Sequence, residues 1–283
     1  MGSRTRRWIK RIGAAFLIVM VTIGAVEAGL AFFDPLGARY FNEQNALFFR
    51  ETAQVDPRGY GVQPGTYRAS RWSFTILPDG TRAVPATQPN AARTAVFIGD
   101  SLTFSYGVDD SDTWINLLAA EFPDWHFINA AMPAYSAVNY ARALTVYSEA
   151  DAIFVVTIPN DSSEPPAIAP FDPVPPITPY TLLYWRLLSR QISVKARTAE
   201  ELAHIAADWE ASLRALNADP RVTIITFDNG PYADEVRAVV PDAAAVGYFS
   251  ERISAVDPHA NPAGNRELYE SMLPVVREAL SSD

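Results

Sequence analysis

The stretch that decides the fold is Thr94-Ala95-Val96-Phe97-Ile98-Gly99-Asp100-Ser101-Leu102-Thr103. It begins with a short apolar run, which is typical of a strand buried on both faces of a parallel sheet. The run ends at Gly99, which permits a tight turn. A serine at the carboxyl end of such a strand can present its hydroxyl and its backbone N–H together at the sheet edge. Ser101 is therefore a candidate nucleophile, although an ordinary strand-to-helix turn with Ser101 as N-cap fits the same pattern.

Similar apolar runs recur further along the chain, and helical patterns lie between them. The runs cover residues 127–128, 152–158 and 222–227, and the helical patterns cover residues 114–122, 139–147 and 202–216. This alternation predicts a parallel sheet with helices on both faces. Sites in such sheets form beyond the carboxyl ends of the strands, so the residues that follow each run are the candidates for chemistry.

A serine hydroxyl needs a base to take its proton, and the chain contains three histidines. His204 lies off the apolar stripe of a predicted helix and is expected to be a solvated surface residue. His126 begins a predicted strand, which indicates packing. His259 lies in a turn-rich loop before the last predicted helix, two residues after Asp257. A carboxylate beside the imidazole can orient it and stabilise its charged form, so Asp257 and His259 are predicted to complete a triad with Ser101. Turn formation ahead of a proline is the alternative role for Asp257.

Ester cleavage also needs hydrogen-bond donors aimed at the developing oxyanion. Asn160 follows the third apolar run and offers a side-chain N–H, although turn formation is its alternative role. The loop of residues 129–136 follows the second run and offers a backbone N–H. Both loops are predicted to meet Ser101 at one edge of the sheet.

The first eleven residues carry five basic side chains and no acid, and residues 12–33 are apolar except for Glu27. A run of 22 residues suffices to span a bilayer as a helix, and the preceding positive charge keeps the N-terminus cytoplasmic. We therefore expect a single-pass membrane anchor with the bulk of the chain extracytoplasmic, in the periplasm or at the cell surface. A cleaved signal peptide is the alternative, since Val26-Glu27-Ala28 can act as a small-residue cleavage site.

The composition is that of a folded protein with one sizeable domain, because 49% of the 283 residues are hydrophobic and 19% are charged. Of the 23 basic side chains five lie in the N-terminal segment, so the rest of the chain has 18 basic and 32 acidic side chains and a negative net charge. A negative charge argues against nucleic acid as a partner, because phosphates bind to cationic surfaces. The absence of cysteine excludes disulfides, a thiol nucleophile and thiolate metal sites. Neither a histidine spacing that suits a metal nor a glycine-rich phosphate loop occurs, so we expect chemistry without a cofactor.

Two further segments bear on the domain organisation. Residues 34–93 are rich in proline, glycine and aromatic residues, and residues 71–76 alternate as a half-buried strand does, so 34–93 is expected to be a β-rich connector packed on a main domain of residues 94–283. Residues 165–179 contain seven prolines and precede an apolar segment, residues 180–188. The two segments fit either a lid over the site or a rigid crossing loop that leads to a core helix. A third alternative is that Trp185 and its neighbours touch the bilayer.

The four chemical segments, in this order, resemble the SGNH (or GDSL) hydrolase superfamily, and residues 99–114 are similar to its membrane-anchored bacterial members in particular. Ser101 falls on the nucleophile of the family, Asn160 on its oxyanion asparagine, and Asp257 with His259 on the rest of the triad. The resemblance implies a flavodoxin-like three-layer α/β/α fold that hydrolyses or transfers acyl groups of oxygen esters. Small esters, lipids and acylated polysaccharides are the implied substrates.

Two departures from the family pattern concern the oxyanion donors. The glycine of the second family block aligns with Ala134, whose N–H can still donate if its backbone takes the required conformation. In the third block the usual glycine two positions before the asparagine is Ile158, and Pro159 stiffens the backbone. The expected function is that of a Ser-His-Asp acyl or acetyl esterase. An O-acyltransferase acting on an envelope polysaccharide and a non-catalytic envelope scaffold remain the alternatives.

Overall fold

The fold is described from a computed structural model, for residues 3–35, 37, 43–169, 179–188, 197–254 and 257–281. The chain opens with a long helix, α1 (Ser3–Phe33). Within it, Arg7–Phe33 is the one described stretch that is long and apolar enough to cross a membrane, with a mean hydropathy of 2.2. None of that stretch is buried inside the protein.

Two short antiparallel hairpins follow α1. In the first, β1 (Ala53–Asp56) pairs with β2 (Gly59–Val62), and in the second, β3 (Gly65–Arg68) pairs with β4 (Ser73–Ile76). Ahead of them, residues 43–46 are helical and run into a π-helical turn, Leu47–Glu51. The predicted strand at residues 71–76 corresponds to β4.

The main domain is built on a wholly parallel five-stranded sheet. Its strands in chain order are β5 (Arg93–Ile98), β6 (Trp125–Asn129), β7 (Ala152–Val156), β8 (Val222–Phe227) and β9 (Ala244–Val246). They lie side by side in the order β6-β5-β7-β8-β9. This is the flavodoxin-like order, in which ligands bind at the carboxyl ends of the first and third strands, here β5 and β7.

Helices cover both faces of this sheet. They are α2 (Ser101–Phe104), α3 (Trp114–Glu121), α4 (Ala137–Val146), α6 (Ala199–Asn217), α7 (Pro231–Val239) and α8 (Pro262–Ser281). A further helix, α5 (Tyr180–Leu188), packs through its described side chains against α1 and not on the sheet. Because side chains alternate along a strand, Val96 and Ile98 of β5 face a core shared with α4, α6 and α7, whereas Ala95 and Phe97 face a core shared with α3 and α8. The predicted three-layer α/β/α fold is confirmed.

The hairpins contact the main domain at the β6 edge of the sheet. Arg82 forms isolated bridges with Ile76 on one side and Asn129 on the other, so the backbone after β4 extends the sheet by one residue pair. Next to it, the rings of Phe48 and Phe74 pack on Phe104 of α2 at centroid distances of 5.4 and 5.8 Å. Residues on both sides of the 93/94 boundary thus share one hydrophobic core.

Candidate active site

The turn after β5 is shaped by a close approach of two residues. A Cβ atom placed on Gly99 would lie 2.1 Å from Thr103 Oγ1 and 2.6 Å from Thr103 Cβ, so only glycine fits. Asp100 is the N-cap of α2, and its Oδ1 accepts a hydrogen bond from the N–H of Leu102 at 2.9 Å. Ser101 therefore stands at the first position of a helix that begins directly at the sheet edge.

The structure brings Ser101, His259 and Asp257 together, as the sequence predicts. Ser101 Oγ lies 2.9 Å from His259 Nε2, and His259 Nδ1 lies 2.6 Å from Asp257 Oδ1. The backbone N–H of His259 donates to the same carboxylate oxygen at 3.1 Å. Because the Asp257 side chain is 0% exposed, its contact with the imidazole is shielded from solvent.

The loop that carries His259 is held by contacts on both sides. The backbone carbonyl of His259 accepts a hydrogen bond from the N–H of Ile253 at 2.9 Å, and the N–H of Asp257 donates to Ser254 Oγ at 3.0 Å. The ring of Tyr106, which is buried, lies 4.9 Å from the imidazole centroid with an interplanar angle of 42°. The imidazole is thus fixed by a hydrogen bond at Nδ1 and by an aromatic ring at its face.

A second acceptor lies beside the serine hydroxyl. Ser101 Oγ is 2.9 Å from Asp100 Oδ2, the same distance as from His259 Nε2. Burial raises the pKa of Asp100, against the opposing effect of the hydrogen bonds that its carboxylate accepts from Leu102 and Ser101. One hydroxyl proton can serve only one of the two acceptors at a time. The N-cap considered from the sequence was Ser101, whereas the structure gives that role to Asp100, and the contact between Asp100 and the Ser101 hydroxyl was not predicted.

The candidate oxyanion donors stand on opposite sides of Ser101, because β6 and β7 flank β5. Ala134, in the loop after β6, has a φ of 64°, the left-handed conformation that glycine adopts most easily. Asn160 lies after β7 in the 3-10 turn Pro159–Ser162 and lines the same cleft as Ser101. Ala134 therefore keeps a glycine-like backbone despite its side chain.

The turn that carries Asn160 is built on a buried acid. Asp161 accepts hydrogen bonds from the N–H of Ile158 and from the hydroxyl of Tyr140, each at 3.0 Å. Burial raises the pKa of Asp161 well above its usual range, and the nearby charge of Asp100 adds to the effect. Pro159 starts the 3-10 turn, where its fixed φ is favourable.

A cleft of about 280 Å³ adjoins the serine. Its apolar walls come from Leu102, Ile158, Pro159, Tyr248, Phe249 and Pro258, and its polar side chains are Asp100, Ser101, Asn160, Glu164 and His259. Of the other histidines, His204 is 79% exposed on α6 next to Asp208, and His126 lies in β6 away from the cleft. Within the described ranges no group of three or more histidine, cysteine, aspartate or glutamate side chains could hold a metal ion.

Comparison with known proteins gives structural similarities only. No family model matches the chain, and no curated protein matches it. Among solved structures, a member of the lipolytic G-D-S-L family from Veillonella parvula is 13% identical, with a TM-score of 0.40 over 66% of this chain and 99% of that one. The inhibitor-bound aryl esterase of M. smegmatis is 13% identical, with a TM-score of 0.42 over 66% of this chain and 100% of that one.

A third solved structure is Est24, a carbohydrate acetylesterase from Sinorhizobium meliloti, 13% identical with a TM-score of 0.40 over 66% of this chain and 99% of that one. The G-D-S-L family is the one that the sequence motifs resemble. With identities and TM-scores this low, the roles of Ser101, Asp257 and His259 rest on the geometry of this chain alone.

Proposed function

We propose that this protein is a serine ester hydrolase of the SGNH type, with Ser101 as nucleophile, His259 as base and Asp257 as the residue that orients the imidazole. The observation that carries the proposal is the unbroken hydrogen-bonded line from Asp257 through His259 to Ser101. Ser101 also opens onto a cleft at the carboxyl ends of β5 and β7, where this fold binds its ligands.

The proposed reaction has two halves. His259 Nε2 takes the proton of Ser101 as Oγ attacks the ester carbonyl, and the tetrahedral intermediate collapses when the imidazolium returns that proton to the leaving alcohol. A water molecule then attacks the acyl-serine as it gives a proton to His259, and the imidazolium returns that proton to Ser101 Oγ when the carboxylic acid leaves. Asp257 keeps the proton of the imidazole on Nδ1 and stabilises the imidazolium in both halves.

Three donors are proposed to hold the oxyanion: the backbone N–H groups of Ser101 and Ala134 and the side-chain N–H of Asn160. Their placement after β5, β6 and β7 supports this, since these three strands are neighbours in the sheet. The left-handed backbone of Ala134 supports it further, because it gives this residue the conformation expected of the glycine that it replaces. Loss of one such donor typically slows catalysis by about 10² to 10³-fold.

The cleft is large enough for a short acyl group. A volume of about 280 Å³ has to accept both the acyl group and part of the alcohol, and its walls are mainly apolar. We therefore propose an acetyl or other short acyl ester as substrate, cleaved outside the cytoplasm by a domain that α1 anchors to the membrane. A sugar hydroxyl in place of water as acceptor would make the same site an O-acyltransferase.

Hydrolysis of p-nitrophenyl acetate by the full chain in detergent tests the proposal. Ser101→Ala is expected to lower kcat by roughly 10⁴ to 10⁶-fold, as removal of a serine nucleophile does. Ser111→Ala is the matched control, because Ser111 is exposed on the 3-10 turn Asp110–Asp112, outside the cleft. Equal turnover by Ser101→Ala and the control would refute the assignment.

A further inference from the structure

An acid in the membrane-spanning part of α1 is bound by another helix. The carboxylate of Glu27 accepts hydrogen bonds from the backbone N–H groups of Tyr180 and Thr181, the latter at 3.0 Å. These two residues form the first turn of α5, whose N–H groups have no partners within that helix. Glu27 therefore satisfies the N-terminus of α5 and complements the positive end of its dipole.

Two further contacts hold α5 against the last turns of α1. Leu183 is 1% exposed and packs with Tyr184 against Leu30. The hydroxyl of Tyr184 donates to Asp34 Oδ1 at 2.9 Å, just beyond the end of α1. The partners advance along both helices in the same direction, from Glu27 to Asp34 on one and from Tyr180 to Tyr184 on the other, so the helices lie side by side.

The depth of Glu27 indicates where α5 lies. If the apolar run begins at the inner boundary with Ile12, a rise of about 1.5 Å per residue places Glu27 about 22 Å further along α1. The hydrocarbon layer is about 30 Å thick, so Glu27 falls inside it or at its outer boundary. An unpaired carboxylate is costly there, and such acids are found paired within the protein. Here the pairing group is the N-terminus of α5, which has to reach the same depth.

The outer side of this helix pair remains apolar and exposed. Phe32 is 81% exposed and Phe33 is 75% exposed at the end of α1, and Trp185 on α5 is 55% exposed. Tryptophan is enriched at the membrane–water interface, where its ring is partly buried among the headgroups. Phe32 and Phe33 end an apolar stretch of α1 that is not buried inside the protein, which points to lipid as its neighbour.

We propose that α5 is a membrane-interface helix that lies in the outer leaflet beside α1, with Glu27 as the residue that holds it there. The proposal rests on the anchoring role of α1 given under the proposed function.

The absence of cysteine allows single labels to test this contact in the full chain. A fluorescent NBD group on Trp185→Cys, in phosphatidylcholine vesicles, is expected to emit at shorter wavelength than in water and to be quenched by lipids that carry a doxyl group. A label on Val146→Cys, at an exposed site on α4, is the aqueous reference, and a label on Val19→Cys reports insertion of α1. Emission at position 185 like that at position 146, with position 19 quenched, would overturn the proposal.

The role of Glu27 is tested by adding Glu27→Leu to the position 185 label. Loss of quenching at position 185 is expected, with quenching at position 19 retained. Glu200→Leu is the matched control, because Glu200 is also an acid in the first turn of a helix, α6, and is exposed. Unchanged quenching in Glu27→Leu would overturn the role of Glu27. Ester turnover of the labelled proteins is measured separately, so an aqueous α5 in a protein with full turnover would refute the membrane contact and leave the hydrolase assignment standing.

Discussion

Replacement of the buried Arg82 by methionine should destabilise the protein strongly. The guanidinium donates to the carbonyls of Phe104, Ser105 and Val108 at 2.6, 2.8 and 2.5 Å, and to Asp110 Oδ1 at 2.9 Å. The Arg82 side chain is 0% exposed and that of Asp110 is 16% exposed. Methionine fills a similar volume but removes the positive charge beside Asp110 and the donor to the three carbonyls, while Asp110 Oδ2 keeps its hydrogen bond from the N–H of Thr75 at 2.9 Å.

The size of the effect follows from these contacts. Removing one partner of a buried ion pair costs about 3–5 kcal/mol, because the other charge stays uncompensated. For a domain of this size each kcal/mol lowers Tm by about 2–4 °C, so a fall of roughly 6–20 °C is expected. Arg82→Lys should lie between wild type and Arg82→Met, since an ammonium group keeps the charge but cannot reproduce the fork of donors.

Turnover should fall as well, even at temperatures where Arg82→Met is folded. The carbonyls that Arg82 binds belong to the loop that carries Tyr106, and the Tyr106 ring packs 4.9 Å from the His259 ring. Loosening this loop removes one of the supports that hold the imidazole against Ser101.

Thermal unfolding followed by circular dichroism, with ester turnover on the same samples, measures both effects. Arg68→Met is the control, because Arg68 is exposed on β3 and should change the free energy of unfolding by less than about 0.5 kcal/mol. The reasoning would be refuted if the free energy of unfolding of Arg82→Met lay within about 1 kcal/mol of the wild-type value.

Two further substitutions test the 3-10 turn Pro159–Ser162, which carries Asn160 and Asp161. Asn160→Ala should lower kcat/KM for a short acyl ester by about 10² to 10³-fold and leave Tm nearly unchanged. A kcat/KM within about threefold of the wild-type value would remove Asn160 from the proposed oxyanion hole. Asp161→Asn should change how the free energy of unfolding depends on pH, because burial raises the pKa of Asp161 in the folded state. The protonated acid stabilises the wild type fully at pH values below the pKa of the unfolded state, and this contribution is lost as the pH rises through the folded-state pKa. Urea unfolding of both proteins at several pH values should therefore show the wild type losing stability relative to Asp161→Asn as the pH rises, and parallel curves would contradict it.

The sheet was largely predictable because buried parallel strands are continuous apolar runs. The runs at residues 94–98, 152–158 and 222–227 became β5, β7 and β8, and the run at residues 127–128 became the longer strand β6. The strand β9 was not predicted, since Ala244–Val246 is three residues long and shows no periodicity. Its pairing with β8 is a tertiary contact that the local sequence does not encode.

The juxtaposition of Ser101, Asp257 and His259 was predictable because each follows or precedes an element whose end meets the same sheet edge. The supports around them were not. Arg82 stands alone in a turn-rich segment, and its partners lie more than twenty residues away in the chain. The docking of residues 180–188 on α1 was not among the three alternatives for that segment, and most of the proline-rich stretch before it lies outside the described residues.

Labelling with a fluorophosphonate probe, followed by peptide mapping by mass spectrometry, tests the central claim most directly. Such probes react with a serine whose hydroxyl has been activated by a base. One adduct per chain is expected on Ser101, and His259→Ala should abolish it while leaving the fold intact by circular dichroism. Absence of an adduct on the folded wild type, or equal labelling of His259→Ala, would contradict the account.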